Sequence, residues 1–167
     1  TAPNSCTDTF AINVTVNPEP QIADVVQTIC SGDTFTVTPT NTAPDVVPTG
    51  TTYTWTVAAP AGITGASDQA TAQTSISQTL TNTTSTSLSA IYTVTASVGT
   101  APNICTDTFT ITVTVNPKPS IADVTQAICT GNTFTVTPTN TAPDVVPTGT
   151  TYTSTVTTPA GPTGASN

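Results

Sequence analysis

The chain has almost none of the basic side chains that nucleic-acid binding and His-dependent catalysis require. Its 167 residues include no His, no Arg, no Met and a single Lys (Lys118) against nine acidic residues, giving a net charge of −8. One cationic side chain cannot neutralise enough phosphates for nucleic-acid binding. Without His, the chain has neither an imidazole base nor a Ser–His triad. No apolar run approaches the roughly 18 residues of a membrane span. We therefore expect no enzyme activity, no catalytic residue, no cofactor and no metal site.

Threonine and valine dominate what is present. The sequence has 46 Thr and 17 Val but only two Leu, and β-branched residues favour strands over helices. Apolar residues alternate with Thr most regularly over residues 108–115, where Phe109, Ile111, Val113 and Val115 share one face. Alternation of this kind is typical of strands that bury one face and solvate the other. The sequence predicts an all-β protein.

The sequence repeats itself with a period of 99 residues. Residues 1–68 match residues 100–167 with 14 differences in 68 positions, so 54 are identical. A period of this length suits a whole β-sandwich domain rather than a solenoid turn.

Proline-rich punctuation divides the repeats. Two prolines in four residues occur at 17–20 and again at 116–119, and such segments favour stiff, extended linkers. Cutting there predicts a last strand of a preceding repeat (1–17), a complete repeat (18–117) and the first half of a following repeat (118–167). A cut inside the Pro-rich segment 42–50 is the alternative, which we disfavour because that segment has the composition of a loop.

Seven strands are predicted in the complete repeat, near 21–29, 34–40, 51–58, 67–72, 73–81, 89–97 and 108–116, with loops at 42–50 and 98–107. This profile is typical of an immunoglobulin-like sandwich. The residues predicted to form its core are Phe35, Val37, Tyr53, Trp55, Val57, Ile76, Leu80, Tyr92, Val94, Phe109, Ile111 and Val113.

Several motifs in order resemble a known family. They are ICSGDTFTVTP, TTYTWTV, SISQTLTNTT, YTVTASVG and CTDTFTITVTVNPKP, and they are similar to the PKD-like immunoglobulin-fold repeats of giant cell-surface adhesins in Bacteroidota. The resemblance implies tandem PKD-like sandwiches in an exported protein that uses the type IX secretion route. The WDFGDG-like motif of other PKD domains is absent, so the wider group implies little about binding.

Cysteines occur twice per repeat, at Cys6, Cys30, Cys105 and Cys129. No CxxC or Cys/His cluster indicates a metal, so disulfides in an oxidising compartment are the expected state. Two connectivities stay open. Cys30 bonds Cys105 within a repeat, or, because sandwich topology places those positions at opposite ends, each bonds a neighbouring repeat.

Other candidate sites have ordinary structural explanations. The Thr-x-Thr ladders suit soluble outer strand faces, although they also fit an ice- or glycan-binding surface. The single Asp residues lack calcium-site clustering, and Asp33 and Asp107 are expected to cap turns. Asn82 begins a glycosylation sequon. Trp55 is replaced by Ser154 in the next copy, so its position is either partly buried or compensated by a neighbouring repeat.

The function predicted from these patterns is structural. We expect a repeat of a long extracellular filament or adhesin stalk at the cell surface, whose partners are neighbouring identical repeats. Cell-surface or environmental glycans are further candidate partners. The alternative is a glycan- or ice-binding repeat that uses its Thr-rich faces. Because the copies are nearly identical, strand 1–17 of one chain also has the pattern to complete the half-repeat 118–167 of another.

Overall fold

Strands form where Thr alternates with aromatic or β-branched residues. The computed structural model describes residues 6–157, which contain no helix, and the all-β prediction is confirmed. Residues 1–5 and 158–167 of the two predicted flanking segments lie outside this range. The strands are β1 (Val25–Cys30), β2 (Thr34–Val37), β3 (Thr52–Ala58), β4 (Ile63–Thr64), β5 (Gln69–Gln73), β6 (Ile76–Thr79), β7 (Thr81–Asn82), β8 (Leu88–Thr100) and β9 (Asn103–Asn116).

One large sheet carries most of the hydrogen bonding. Its strand order is β1-β9-β8-β3-β5, and two smaller ladders pair β2 with β6 and β4 with β7. β1 runs parallel to β9, with Val25 opposite Ile111 and Cys30 opposite Asn116. The other pairs are antiparallel. The chain therefore enters at one end of the domain and leaves at the other.

The core lies between the large sheet and the β2–β6 ladder. The rings of Phe35 and Tyr92 are 5.0 Å apart across this interface, and those of Tyr53 and Phe109 meet edge to face at 6.4 Å. Such tilted contacts add to the free energy gained by burying the rings. The buried apolar residues are Ile22, Phe35, Val37, Tyr53, Trp55, Ile76, Leu80, Ala90, Tyr92, Val94, Ala96, Phe109, Ile111, Val113 and Val115. Val57, which was also expected in the core, is partly buried against it.

The predicted loop at 98–107 is wrong. β8 and β9 continue their ladder through Val98–Cys105 to Thr100–Asn103, and only Ala101 and cis-Pro102 form the turn. Pro102 is accommodated in this two-residue turn, and Gly99 pairs with Ile104 inside the ladder. The result is a long hairpin whose tip extends past the last β3–β8 pair, Thr52–Ser97.

The other predicted strands are shorter in the structure. The first begins at Val25 rather than residue 21, and the second ends at Val37. The predicted strands near 67–72 and 73–81 correspond to β5 and β6, whereas the two-residue strands β4 and β7 were not predicted. Pairs of two residues leave too short an alternation to be seen in sequence.

The flanking copies lack this structure. Residues 6–20 form no strand, and residues 118–157 make only the isolated pairing of Ser120 with Val145. Phe10 is 84% exposed, whereas its copy Phe109 is 2% exposed. The same side chain is buried where its strand has neighbours to pair with and is exposed where its segment has none.

Two glycines with similar backbone conformations test how closely two backbone segments of the sandwich approach each other. Gly65 has φ +88°, and a Cβ added there would overlap the carbonyl oxygen of Thr79, whereas Gly50 has φ +87° with open space around it. Positive φ costs any alanine about 1–2 kcal/mol. We expect Gly65→Ala to lower the free energy of unfolding by at least about 1 kcal/mol more than Gly50→Ala, measured by urea titration. Equal losses would contradict the close approach.

Candidate functional site

Threonine hydroxyls form ranks across the outer face of the large sheet. Along three adjacent strands, Thr56 lies opposite Thr93 and Thr93 opposite Thr110. A second rank runs from Thr54 through Thr95 to Thr108. Neighbouring strands are about 4.8 Å apart, and alternate residues along a strand are about 6.8 Å apart. We call these six residues the threonine face. It brings together Thr-x-Thr segments that are far apart in the sequence.

Elsewhere the hydroxyls bond one another. Thr34 Oγ1 and Thr79 Oγ1 are 2.6 Å apart across β2 and β6, and Thr36 Oγ1 lies 2.9 Å from Ser77 Oγ. Such cross-strand pairs support the ladder. On these strands the Thr residues therefore stabilise the fold rather than present a free array.

A depression includes four of the six residues of the threonine face. It has a volume of about 410 Å³ and is lined by Trp55 together with Thr54, Thr56, Asp68, Gln69, Ala70, Thr93 and Thr95. Asp68 is engaged, because its Oδ1 accepts a hydrogen bond from the backbone N–H of Val57 at 2.7 Å. Most of the lining residues are polar, although apolar atoms make up the larger part of the exposed lining. Its one aromatic residue, Trp55, is too buried to offer a platform on which sugar rings could stack.

Trp55 itself is a core residue. It is 6% exposed, and its indole N–H donates to the backbone oxygen of Ser67 at 3.1 Å. Partial burial therefore does not explain the change to Ser154, which is exposed in the unpaired copy. Of the other predicted core aromatics, Phe35, Tyr53, Tyr92 and Phe109 are all buried.

Tyr92 is an ionisable residue whose ring lies in the core. Its hydroxyl donates to Gln78 Oε1 at 2.8 Å, and burial raises the pKa of Tyr92 to about 12. The pKa of Tyr53 is also raised, mainly by burial and further by the carboxylate of Asp45. Both rings thus resist ionisation in the folded state.

This burial predicts alkaline destabilisation. A folded-state pKa above the ordinary value of 10.0 means that the contribution of neutral Tyr92 is complete below about pH 10 and is lost as the pH rises towards 12. We expect the free energy of unfolding to fall in this window, and to fall less in Tyr92→Phe. Urea titrations between about pH 9 and pH 12 measure it. Tyr152→Phe, at a 53% exposed position, is the control, and an equal effect there would contradict the assignment.

The cysteines do not meet within the repeat. Cys30 lies opposite Asn116 at the end where the chain leaves, and Cys105 lies opposite Val98 on the hairpin at the other end. Asn116 lies eleven positions beyond Cys105 along β9, which is roughly 36 Å of strand. A disulfide requires Cα atoms within about 7 Å. In this structure Cys30 and Cys105 of one repeat are therefore too far apart to bond, and all four cysteines are free thiols.

Several carboxylates tie backbone segments together. Asp24 Oδ1 accepts from Thr110 N–H at 2.7 Å, which lowers the pKa of Asp24. Asp33 lies in the expected turn and its Oδ2 accepts from Cys30 N–H at 3.3 Å. Asp107 does not cap a turn as expected, since its Oδ2 accepts from Ile22 N–H at 2.8 Å, 85 residues away. Within residues 6–157 no group of three potential ligands surrounds a common point.

Asn82 has a structural role that its sequon does not suggest. It is 5% exposed, and its Nδ2 donates to the backbone oxygens of Thr86 and Val115 at 2.7 and 2.9 Å. Its Oδ1 accepts from the N–H and the hydroxyl of Thr84. A side-chain nitrogen committed to two buried bonds is not available for a glycan in the folded domain. Only the topology, which brings Val115 alongside, identifies this residue.

Comparisons with known proteins agree with this architecture. The model of the PKD-like domain family matches residues 27–119, a range that runs from β1 to just beyond the end of β9. No curated protein and no solved structure matches the chain. Among residues 6–157 there is no helix long and apolar enough to cross a membrane.

Proposed function

Because the chain belongs to the PKD-like domain family, we propose that it is a structural repeat of a long extracellular filament or adhesin stalk at the cell surface. PKD-like domains are commonly extracellular immunoglobulin-like modules and are generally non-catalytic. The resemblance of its motifs to giant surface adhesins of Bacteroidota favours the stalk over an accessory domain of a secreted enzyme.

One observation carries the proposal: the parallel pairing of β1 with β9. Ile22 is held beside Asp107 where the chain enters, and the chain leaves at Asn116, nine residues further along β9. At about 3.4 Å per residue the two ends are roughly 31 Å apart. A domain whose termini lie at opposite ends joins its neighbours head to tail, so a tandem array becomes longer with each repeat.

The flanking segments fit such an array. Residues 6–17 carry the β9 pattern, and their apolar residues Phe10, Ile12, Val14 and Val16 are exposed. The β9 copies, from Phe109 to Val115, are buried. We infer that residues 1–17 belong to the preceding repeat, 18–117 form a whole one, and 118–167 begin the next. The neighbouring repeats are then the principal partners.

Surface localisation tests the proposal. Antibodies raised against residues 18–117 should label thin filaments projecting from cells that make the protein, as seen by electron microscopy of unfixed and immunogold-labelled cells. Cells lacking the gene are the control. Labelling confined to the cell interior, or to globular particles shed from the cell, would contradict the stalk.

The threonine face supports a second candidate, a glycan- or ice-binding repeat. Its two ranks of hydroxyls lie on the outer surface of the large sheet, and four of these threonines line the depression. This arrangement suits hydrogen bonding to an ordered lattice or a sugar chain. If this candidate is right, the full chain binds a glycan array or shapes ice crystals, and a Thr93→Val, Thr95→Val variant loses the effect. The stalk proposal needs no binding by these threonines, so it expects the parent chain and the variant to behave alike.

A further inference from the structure

Cys30 lies at the start of the linker to the following repeat. It pairs with Asn116, the last residue of β9, and the N–H of the adjacent Ser31 donates to the Asn116 carbonyl at 2.8 Å. The Cys30 side chain is exposed. The chain continues from this point into the proline linker at 117–119.

Cys105 lies beside the other end of a linker. The Ile22 N–H is bonded to Asp107 as the chain enters the domain, and Cys105 precedes Asp107 by two residues on the hairpin. Two strand residues correspond to about 7 Å, directed away from the sandwich and back along the incoming chain. The hairpin that was predicted to be a loop thus carries Cys105 towards the preceding repeat.

The second repeat begins with the same local structure. Ser120 and Val145 exchange backbone hydrogen bonds of 2.9 and 2.7 Å, as Gln21 and Val46 do. The Ala122 N–H donates to Asp144 at 2.8 Å, matching the bond from Ala23 to Asp45. Residue 121 of this chain is therefore placed at its repeat's entrance as Ile22 is in the first.

The two repeats are in contact at this junction. Asn140 Nδ2 of the second repeat donates to Ser85 Oγ of the first at 2.7 Å. A cavity of about 430 Å³ between them is lined by Ser85, Thr86, Ser87, Asn116, Pro117, Pro147 and Thr148. The loop 139–148 thus lies against the end of the first repeat from which Asn116 leaves.

From these positions we propose that Cys30 forms a disulfide with the counterpart of Cys105 in the following repeat, so that a covalent bond spans each linker. This inference rests on the tandem array of the proposed function. Five residues separate Asn116 from Ile121, about 16 Å at 3.1 Å per residue. The hairpin of the following repeat extends back by about 7 Å, which shortens that distance. The remaining roughly 9 Å is an upper limit for an extended linker, and a modest bend brings the Cα atoms within disulfide range.

The chemistry is an ordinary thiol oxidation. The two thiols lose two protons and two electrons as the sulfur–sulfur bond forms, and a disulfide oxidant such as oxidised glutathione is reduced to two thiols. Because neither cysteine is in the core, reduced and oxidised arrays contain the same folded sandwiches. The disulfide restricts rotation at the linker rather than stabilising a single domain.

An extended chain tests the pairing. Inserting one further copy of residues 18–116 after residue 116 yields two complete repeats and six cysteines, the four present plus copies of Cys30 and Cys105. After oxidation with a glutathione redox buffer, denaturation and alkylation without reduction, we expect four alkylated thiols and one disulfide, between Cys30 of the first repeat and Cys105 of the second. The unextended monomer, treated identically, should show no bond between its own cysteines.

Matched variants identify the pair. Cys30→Ser in the first repeat should abolish the disulfide completely, whereas Cys30→Ser in the second should leave it intact. A Cys30–Cys105 bond in the unextended monomer, or oxidised extended chains with all six thiols unpaired, would overturn the inference. X-ray scattering of the same samples separates the two proposals. An elongated particle without the disulfide rejects only the disulfide, and a collapsed particle rejects the array.

Discussion

Phe109→Ala should lower the free energy of unfolding by about 3–5 kcal/mol, the cost of a large aromatic residue removed from a core. Phe109 is 2% exposed and meets Tyr53 edge to face, so truncation leaves a cavity and loses a ring contact. A single domain of about 100 residues has only about 5–15 kcal/mol of net stability. The substitution is therefore expected to bring the domain close to unfolding. Urea titration followed by tryptophan fluorescence measures the loss, because the single Trp55 lies in the same core.

The chain contains its own control for this experiment. Phe10 occupies the same place in the repeat, but it is 84% exposed and has no strand partner. Phe10→Ala should change the free energy of unfolding by no more than about 0.5 kcal/mol. Similar losses from the two substitutions would show that residues 6–17 are packed into a sandwich within this chain, contrary to the structure.

Asn82→Asp should cost about 2–4 kcal/mol at neutral pH through two lost hydrogen bonds and a buried charge. The change is isosteric, so no cavity confuses the result. A carboxylate oxygen would face the carbonyl oxygens of Val115 and Thr86, to which the Asn82 amide now donates. The loss should be smaller in acid, where a protonated carboxyl donates one bond. Urea titration at neutral and acidic pH measures both effects.

Asn103→Asp supplies the matching charge change at an exposed position on the hairpin. It should leave the free energy of unfolding within about 0.5 kcal/mol of the parent chain. If Asn82→Asp were equally mild, the amide would not be holding the β7 segment to the end of β9, and the bonds assigned to it would be wrong.

Local alternation was enough to predict β9, β8 and β3, the three middle strands of the large sheet. The Thr/apolar pattern of residues 108–115 places Phe109, Ile111 and Val113 on one face, and all three are buried. The aromatic and aliphatic residues of β3 and β8 follow the same period of two. These features depend on neighbouring residues in the chain, so they are visible in sequence.

What could not be predicted depends on distant segments. Residues 98–107 were predicted as a loop, and only the pairing of β8 with β9 shows that they form the end of a hairpin. The bond from Ile22 to Asp107 joins residues 85 apart. The threonine face likewise exists only because three strands place their hydroxyls in register. Pairing and register over such separations are set by tertiary packing rather than by local pattern.

The proline linker at 117–119 bears directly on the proposed function. Its prolines restrict the backbone, and Asn140 beyond the linker donates a hydrogen bond to Ser85 before it. A stiff connection at each junction keeps an array extended, which is what a stalk requires. No catalytic chemistry is needed for this role.

The most direct test of the extended array is the length of chains with one, two and four complete repeats. Strand length and linker length together predict that small-angle X-ray scattering and electron microscopy will show the longest dimension rising by about 47 Å per added repeat. A linear increase of this size would support a rod built head to tail. Particles that grow in all directions, with a longest dimension rising far less per repeat, would contradict the stalk.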